Sequence, residues 1–139
     1  MRVFLDTNVL ASAVATRGIC ADVLQTALAE HEVVISEQVL TELDRTLKEK
    51  FRVSPELAQE TDEFLRREAH VVGHDAPKLE VTVRDQDDVG IVEQAVAGAA
   101  DVLVTGDRDL VEMSEDRPIR ILTPRGFWDL LRTGSAELR

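Results

Sequence analysis

The sequence is poor in the residues that staple small folds together. Its 139 residues include one cysteine, Cys20, so no internal disulfide can form. This fits a reducing compartment and fits simple avoidance of cysteine equally well. Of the three histidines, His70 and His74 stand four apart in a strand-like stretch with no evident third partner, a poor basis for zinc. No run approaches the ~18 apolar residues of a membrane span. The opening run Val3-Phe4-Leu5 halts at Asp6, too soon for a secretory signal. A soluble cytoplasmic domain without a membrane partner is expected. Positive charge is scarce as well: 16 Lys+Arg against 27 Asp+Glu give a net charge of −11. Such a field excludes a simple basic nucleic-acid-binding module, but not an enzyme that meets nucleic acid through bound cations and a local patch. Phosphate-cradling glycine loops and the G-x-S-x-G nucleophile motif are absent too.

What is present is a core and an alternating pattern. With 44% hydrophobic residues the chain can bury a core without metal or disulfide, as one domain over residues 1–139 with a frayed tail from about 133. Apolar runs at 2–5, 32–35, 70–73, 102–105 and 119–122 read as strands. Between them, helical spacing recurs. It covers Val23 to Leu28, Val39 to Leu47 after the cap Ser36, and Leu57, Thr61, Phe64 and Leu65 after Ser54-Pro55. A further helix starts near Asp87–Asp88 and buries Ile91 to Ala99. A last one follows Thr123-Pro124 and carries Phe127 and Trp128, which read as packing residues. Alternation of short strands and helices predicts a three-layer α/β/α fold around a mainly parallel five-stranded sheet.

The placement of acids is the chemical signal. Asp6 directly follows the first predicted strand and Asp107 follows the fourth, where open α/β sheets form their binding crevice. Glu42 lies two turns into the helix after the second strand. Asp85, Asp87 and Asp88 cluster where the helix before the fourth strand begins. Each acid alone reads most simply as a turn residue, a helix cap or a solvated side chain. Jointly they would repel one another unless a cation sat among them, and an oxygen-only set suits Mg²⁺ or Mn²⁺.

Four segments carry a family resemblance. Val3-Phe4-Leu5-Asp6-Thr7-Asn8-Val9-Leu10 resembles the opening of PIN domains, and Ser36-Glu37-Gln38-Val39-Leu40-Thr41-Glu42-Leu43 resembles their second motif. Arg84-Asp85-Gln86-Asp87-Asp88 and Ala100-Asp101-Val102-Leu103-Val104-Thr105-Gly106-Asp107-Arg108-Asp109-Leu110 resemble the third and fourth. The likeness runs from residue 3 to about residue 127 and is nearest to VapC-like toxins of toxin–antitoxin systems. It implies a PIN-type endoribonuclease dependent on Mg²⁺ or Mn²⁺, with Asp6, Glu42, Asp88 and Asp107 as catalytic metal ligands. It also implies support from Asn8 and Thr105, Asp109 as an additional ligand, an RNA substrate, a small antitoxin partner and a homodimer. For the third acid the pattern Asp88-x-x-Ile91-Val92-x-x-Ala95 favours Asp88, with Asp85 as the alternative. Asp85 and Asp87 are otherwise helix caps, and Val89 stands where this branch often has another acid.

RNA would approach past Arg17, Arg45, Lys48, Lys50, Arg52 and Arg108, although the 45–52 group reads first as a solvated helix face. Two other readings compete. A haloacid-dehalogenase-type phosphatase also starts from a strand-end Asp, but wants a second acid where this chain has Asn8. A non-catalytic PIN-like assembly module would not need all four acidic positions filled, as they are here.

Overall fold

The computed structural model describes residues 1–73, 86–112 and 119–134, apart from the side chains of 86–89 and 134. Five short strands, β1 (Arg2–Leu5), β2 (Glu32–Ser36), β3 (His70–Val72), β4 (Val102–Val104) and β5 (Arg120–Leu122), form one sheet in the order β3-β2-β1-β4-β5. All four pairings are parallel. Val3, Phe4 and Leu5 are buried in succession, as are Val33 to Ile35 and Val102 to Val104. Successive side chains on a strand point to opposite faces, so helices must cover both sides of the sheet. The expected three-layer fold is therefore the observed one.

The helices among the described residues are α1 (Thr7–Ala15), α2 (Ile19–Glu30), α3 (Glu37–Glu49), α4 (Pro55–Glu68), α5 (Gln86–Ala97), α6 (Arg108–Glu112) and α7 (Pro124–Gly134). α1 packs on α2 and α3, α2 on α7, and α3 on α4, while α5 lies against β2 and β4. Three helix starts form as their residues predict. Ser36 Oγ accepts the Val39 amide at 3.1 Å, Ser54 Oγ the Leu57 amide at 3.2 Å, and Thr123 Oγ1 the Gly126 amide at 2.9 Å. Each such cap contributes about 1 kcal/mol.

Two helices lie outside the sequence expectations. α1 reads TNVLASAVA and has no polar stripe, because it is packed between α2 and α3; helical periodicity is invisible in so evenly apolar a segment. α6 is a single short turn after Asp107. One expectation is corrected. Leu57 and Phe64 do not join the buried stripe of α4, which consists of Ala58, Thr61 and Leu65; they are 45% and 40% exposed. α4 packs chiefly on α3, so its seam is narrow and these two residues fall on its flank. The polar connection through Pro77 and the tail beyond 134 lie outside the described residues.

Chain order sets the site. From central β1 the chain steps outward to β2 and β3, then crosses back to β4 on the other side of β1. The carboxyl ends of β1 and β4 thus flank a topological switch point, where open α/β sheets bind their ligands.

Candidate active site

Asp6 is the first residue beyond β1, and its amide donates to Val104 O at 3.1 Å, which extends the pairing with β4 past the strand end. Thr105 continues β4 likewise, donating its amide to Leu122 O at 2.9 Å. The two residues are therefore held side by side by backbone alone. The Asp6 carboxylate is then oriented from both ends. Oδ1 accepts the Thr7 amide at 2.7 Å as the cap of α1, and Oδ2 accepts the Thr105 hydroxyl at 2.8 Å. The capping role and the candidate site role reside in one side chain.

Asp107 follows by the same logic. Its amide donates to Thr105 Oγ1 at 3.1 Å, and its Oδ1 accepts the Asp109 amide at 2.9 Å where α6 begins. Glu42 comes from α3. Its Oε2 accepts the hydroxyl of buried Thr7 at 3.1 Å, and its Oε1 accepts Gln38 Nε2 at 3.2 Å. Thr7 thus ties the first turn of α1 to Glu42, 35 positions along the chain.

The electrostatics link these three acids. Burial raises the Asp6 carboxyl above its ordinary value of 3.8. The hydrogen bonds from Thr105 and Thr7 oppose that rise, and the negative charges of Glu42 and Asp107 add to it. Among the described residues, no three Asp, Glu, His or Cys side chains draw together as a closed cage for an ion. Asp6 instead lies within reach of the charges of both Glu42 and Asp107.

The remaining expected residues divide. Thr105 is fully buried and bonded to Asp6. Asp109 is half-buried beside Asp107, and Asn8 is exposed on the first turn of α1. Asp88 has a helical backbone in the first turn of α5, with its side chain outside the described residues; Asp85 lies wholly outside them. Among the basic residues, Arg17, Arg45, Arg52 and Arg108 are exposed. Lys48 pairs with Asp44 at 2.7 Å, and Lys50 stands 5.7 Å from the centre of the Phe51 ring.

Sequence reasoning passed over Thr7, Gln38 and Gln94. Gln94 carried a readable signal: it interrupts the apolar stripe Ile91, Val92, Ala95 of α5 and is only 8% exposed. A polar group buried there requires partners. It has them in the Ser36 hydroxyl, and in Gln38 Oε1, which accepts Gln94 Nε2 at 2.6 Å.

The sequence matches the family model of the PIN domain over residues 2–109. The chain belongs to the PIN domain family. Asp6, Glu42 and Asp107 all fall within the matched span of this PIN domain. Its fold is shared with a chain of VapBC2 from Rickettsia felis, solved bound to a DNA fragment from their promoter: 20% identity, TM-score 0.61, covering 88% of this chain and 97% of that one. A chain of VapBC-1 from nontypeable Haemophilus influenzae is similar at 18% identity and TM-score 0.60, covering 90% of this chain and 99% of that one. No curated protein matches the sequence.

Proposed function

We propose that this PIN domain is a metal-dependent endoribonuclease that hydrolyses RNA phosphodiester bonds as the toxin of a toxin–antitoxin pair. The observation that carries the reading is Asp6, a half-buried carboxylate under the charges of both Glu42 and Asp107, at the switch point of a PIN fold. A partly desolvated acid between two like charges is electrostatically unfavourable by itself and favourable beside a cation.

The donor set fits Mg²⁺ or Mn²⁺. It is all oxygen and comes from separate elements. In this reading Asp6, Glu42, Asp88 and Asp107 hold the ion, with Asp85 as the alternative third acid, Asp109 as a further oxygen donor and Asn8 as a supporting residue. A bound ion supplies Lewis-acid stabilisation of developing phosphate charge and acidifies an attacking water. The protein's own part is orientation. Thr105 holds Asp6, while Thr7 and Gln38 each hold one oxygen of Glu42. These preset directions remove reorganisation from the chemical step. No His or Ser nucleophile is needed.

The antitoxin partner is supported by the two VapBC assemblies whose chains share this fold. A homodimer and a cytoplasmic location belong to the same proposal, the homodimer through the resemblance of the sequence motifs. No helix among the described residues is long and apolar enough to cross a membrane. The test is cleavage of a mixed RNA pool by purified protein with and without Mn²⁺, beside Asp6→Asn and beside calorimetric titration of the ion. Ion-dependent cleavage lost in the variant supports the reading. Cleavage retained by Asp6→Asn, or no ion uptake by the native chain, overturns it.

A further inference from the structure

Five side chains form one directed line of hydrogen bonds into the candidate site. Ser36 Oγ accepts the Val39 amide as the cap of α3 and donates its hydroxyl hydrogen to Gln94 Oε1. Gln94 Nε2 donates to Gln38 Oε1 at 2.6 Å, and Gln38 Nε2 donates to Glu42 Oε1 at 3.2 Å. Thr7 closes the line by donating to Glu42 Oε2 at 3.1 Å.

The direction is determined from the Glu42 end. A carboxylate only accepts, so Gln38 must turn its NH₂ toward Glu42 and its oxygen toward Gln94. Gln94 must then turn its NH₂ toward Gln38 and its oxygen toward Ser36. At the far end, the Ser36 hydroxyl can both give and accept, so it takes the direction the line delivers: its oxygen serves the helix cap and its hydrogen goes to Gln94 Oε1. Reversing either carboxamide would set oxygen against oxygen at one contact and leave a donor without an acceptor at another. With Ser36 1% and Gln94 8% exposed, water cannot readily repair such a fault.

We infer that Gln94 is a positioning residue, which acts through Gln38 to hold Glu42 in its ligating orientation and so sets the affinity of the site for its divalent ion. The inference rests on the function proposed above. It gives α5 a second task besides carrying Asp88: through Gln94 the helix is registered against α3, which carries Glu42. The coupling is chemical as well as steric, since an apolar residue of equal size would fill the space without passing on a direction. Removing outer hydrogen-bond partners of metal ligands costs roughly 10- to 100-fold in affinity.

The experiment measures Mn²⁺ affinity by calorimetry for the full chain, Gln94→Glu, Gln38→Met and the double variant, with thermal melts in chelator. Gln94→Glu accepts on both oxygens, so Gln38 must turn its NH₂ away from Glu42. The expected result is a loss of about tenfold in Mn²⁺ affinity in each single variant and no further loss in the double, because both cut one line. Gln38 is half-buried, so Gln38→Met keeps the test alive if Gln94→Glu fails to fold. A second readout needs no metal: in Gln94→Glu the contacts of the Gln38 side-chain amide protons, read by nuclear Overhauser effects in labelled protein, should move from Glu42 to position 94. Native Mn²⁺ affinity in Gln38→Met, or additive losses in the double variant, overturns the inference and leaves the nuclease reading standing. A native chain that neither binds Mn²⁺ nor cuts RNA overturns both.

Discussion

The Thr105 hydroxyl stands between two acids, donating to Asp6 Oδ2 at 2.8 Å while its oxygen accepts the Asp107 amide at 3.1 Å. Asp6 and Thr105 are 99 positions apart in the chain, yet one fully buried oxygen joins the end of β1 to the turn after β4. Removing that oxygen while keeping the shape isolates its contribution. Thr105→Val should lose about 1–3 kcal/mol of stability in urea denaturation of metal-free protein, because it leaves a carboxylate oxygen and an amide short of a partner. Thr105→Ser should recover most of the loss.

The Asp6 carboxyl predicts a pH dependence of definite sign. Its value is raised in the folded chain, first by burial, so the folded state holds this proton more tightly than the unfolded state does. Its contribution is therefore fully present below 3.8 and is lost as pH rises through the higher folded value. In chelator the native protein should show a component of stability that declines from acid toward neutral pH. Asp6→Asn should remove that component, melting at least as high as the native chain at neutral pH. Parallel melting curves against pH for the two proteins would count against it.

Two glycines and one alanine in or just after α5 give three further outcomes. The helix ends with Ala100 N bonded to Ala95 O and Ala99 N to Val96 O, a Schellman closure in which Ala99 takes φ 54°. Glycine would suit that position, but the glycine falls one residue earlier, at Gly98. There a Cβ would lie 2.4 Å from Val34 Cγ1 and 2.9 Å from Val72 Cγ2, so packing on the sheet claims it. Gly98→Ala should therefore cost about 1–3 kcal/mol. Ala99→Gly should add about 1 kcal/mol by relieving the left-handed backbone. At Gly90 a Cβ would meet, among the described residues, Gln38 Oε1 at 3.7 Å and Gln94 Nε2 at 3.8 Å, ordinary contact. Gly90→Ala should stabilise by roughly 0.5–1 kcal/mol. Chemical denaturation of the three variants checks all three signs.

Salt should govern RNA handling. In the proposed reading a chain of net charge −11 grips phosphates through few cations, so kcat/KM for RNA should fall with salt on a shallow log–log slope set by that small number. Exposed Arg108, next to Asp107, is the cation best placed to contribute. Arg108→Gln should lower the log–log salt slope by about 0.7, the share of one single-strand phosphate contact. An unchanged slope would remove Arg108 from the RNA path.

Local chemistry made much of the architecture legible. The five strands were readable as short apolar runs, and Ser36, Ser54-Pro55 and Thr123-Pro124 announced three helices through a hydroxyl placed to accept an orphan amide. The motifs around Asp6, Glu42 and Asp107 were readable for the same reason: each acid follows a strand end or sits in the helix after one, an arrangement written in consecutive residues. The α1 helix was not readable, because a segment packed between α2 and α3 carries no polar face to betray its period. Nor could Leu57 and Phe64 be placed, since which side of α4 is covered depends on α3.

By itself, then, the sequence determined the alternation of elements, their capped starts and the identity of the acids, all set by interactions within a few residues. Only the tertiary structure decided that Thr105 would meet Asp6, that Thr7 and Gln38 would share Glu42, and that Gln94 would reach Ser36. Those bonds join helices and strands brought together by the crossing from β3 to β4. Buried hydroxyls and carboxamides carry no periodic signature of their own; their partners exist only once the sheet order has put them side by side.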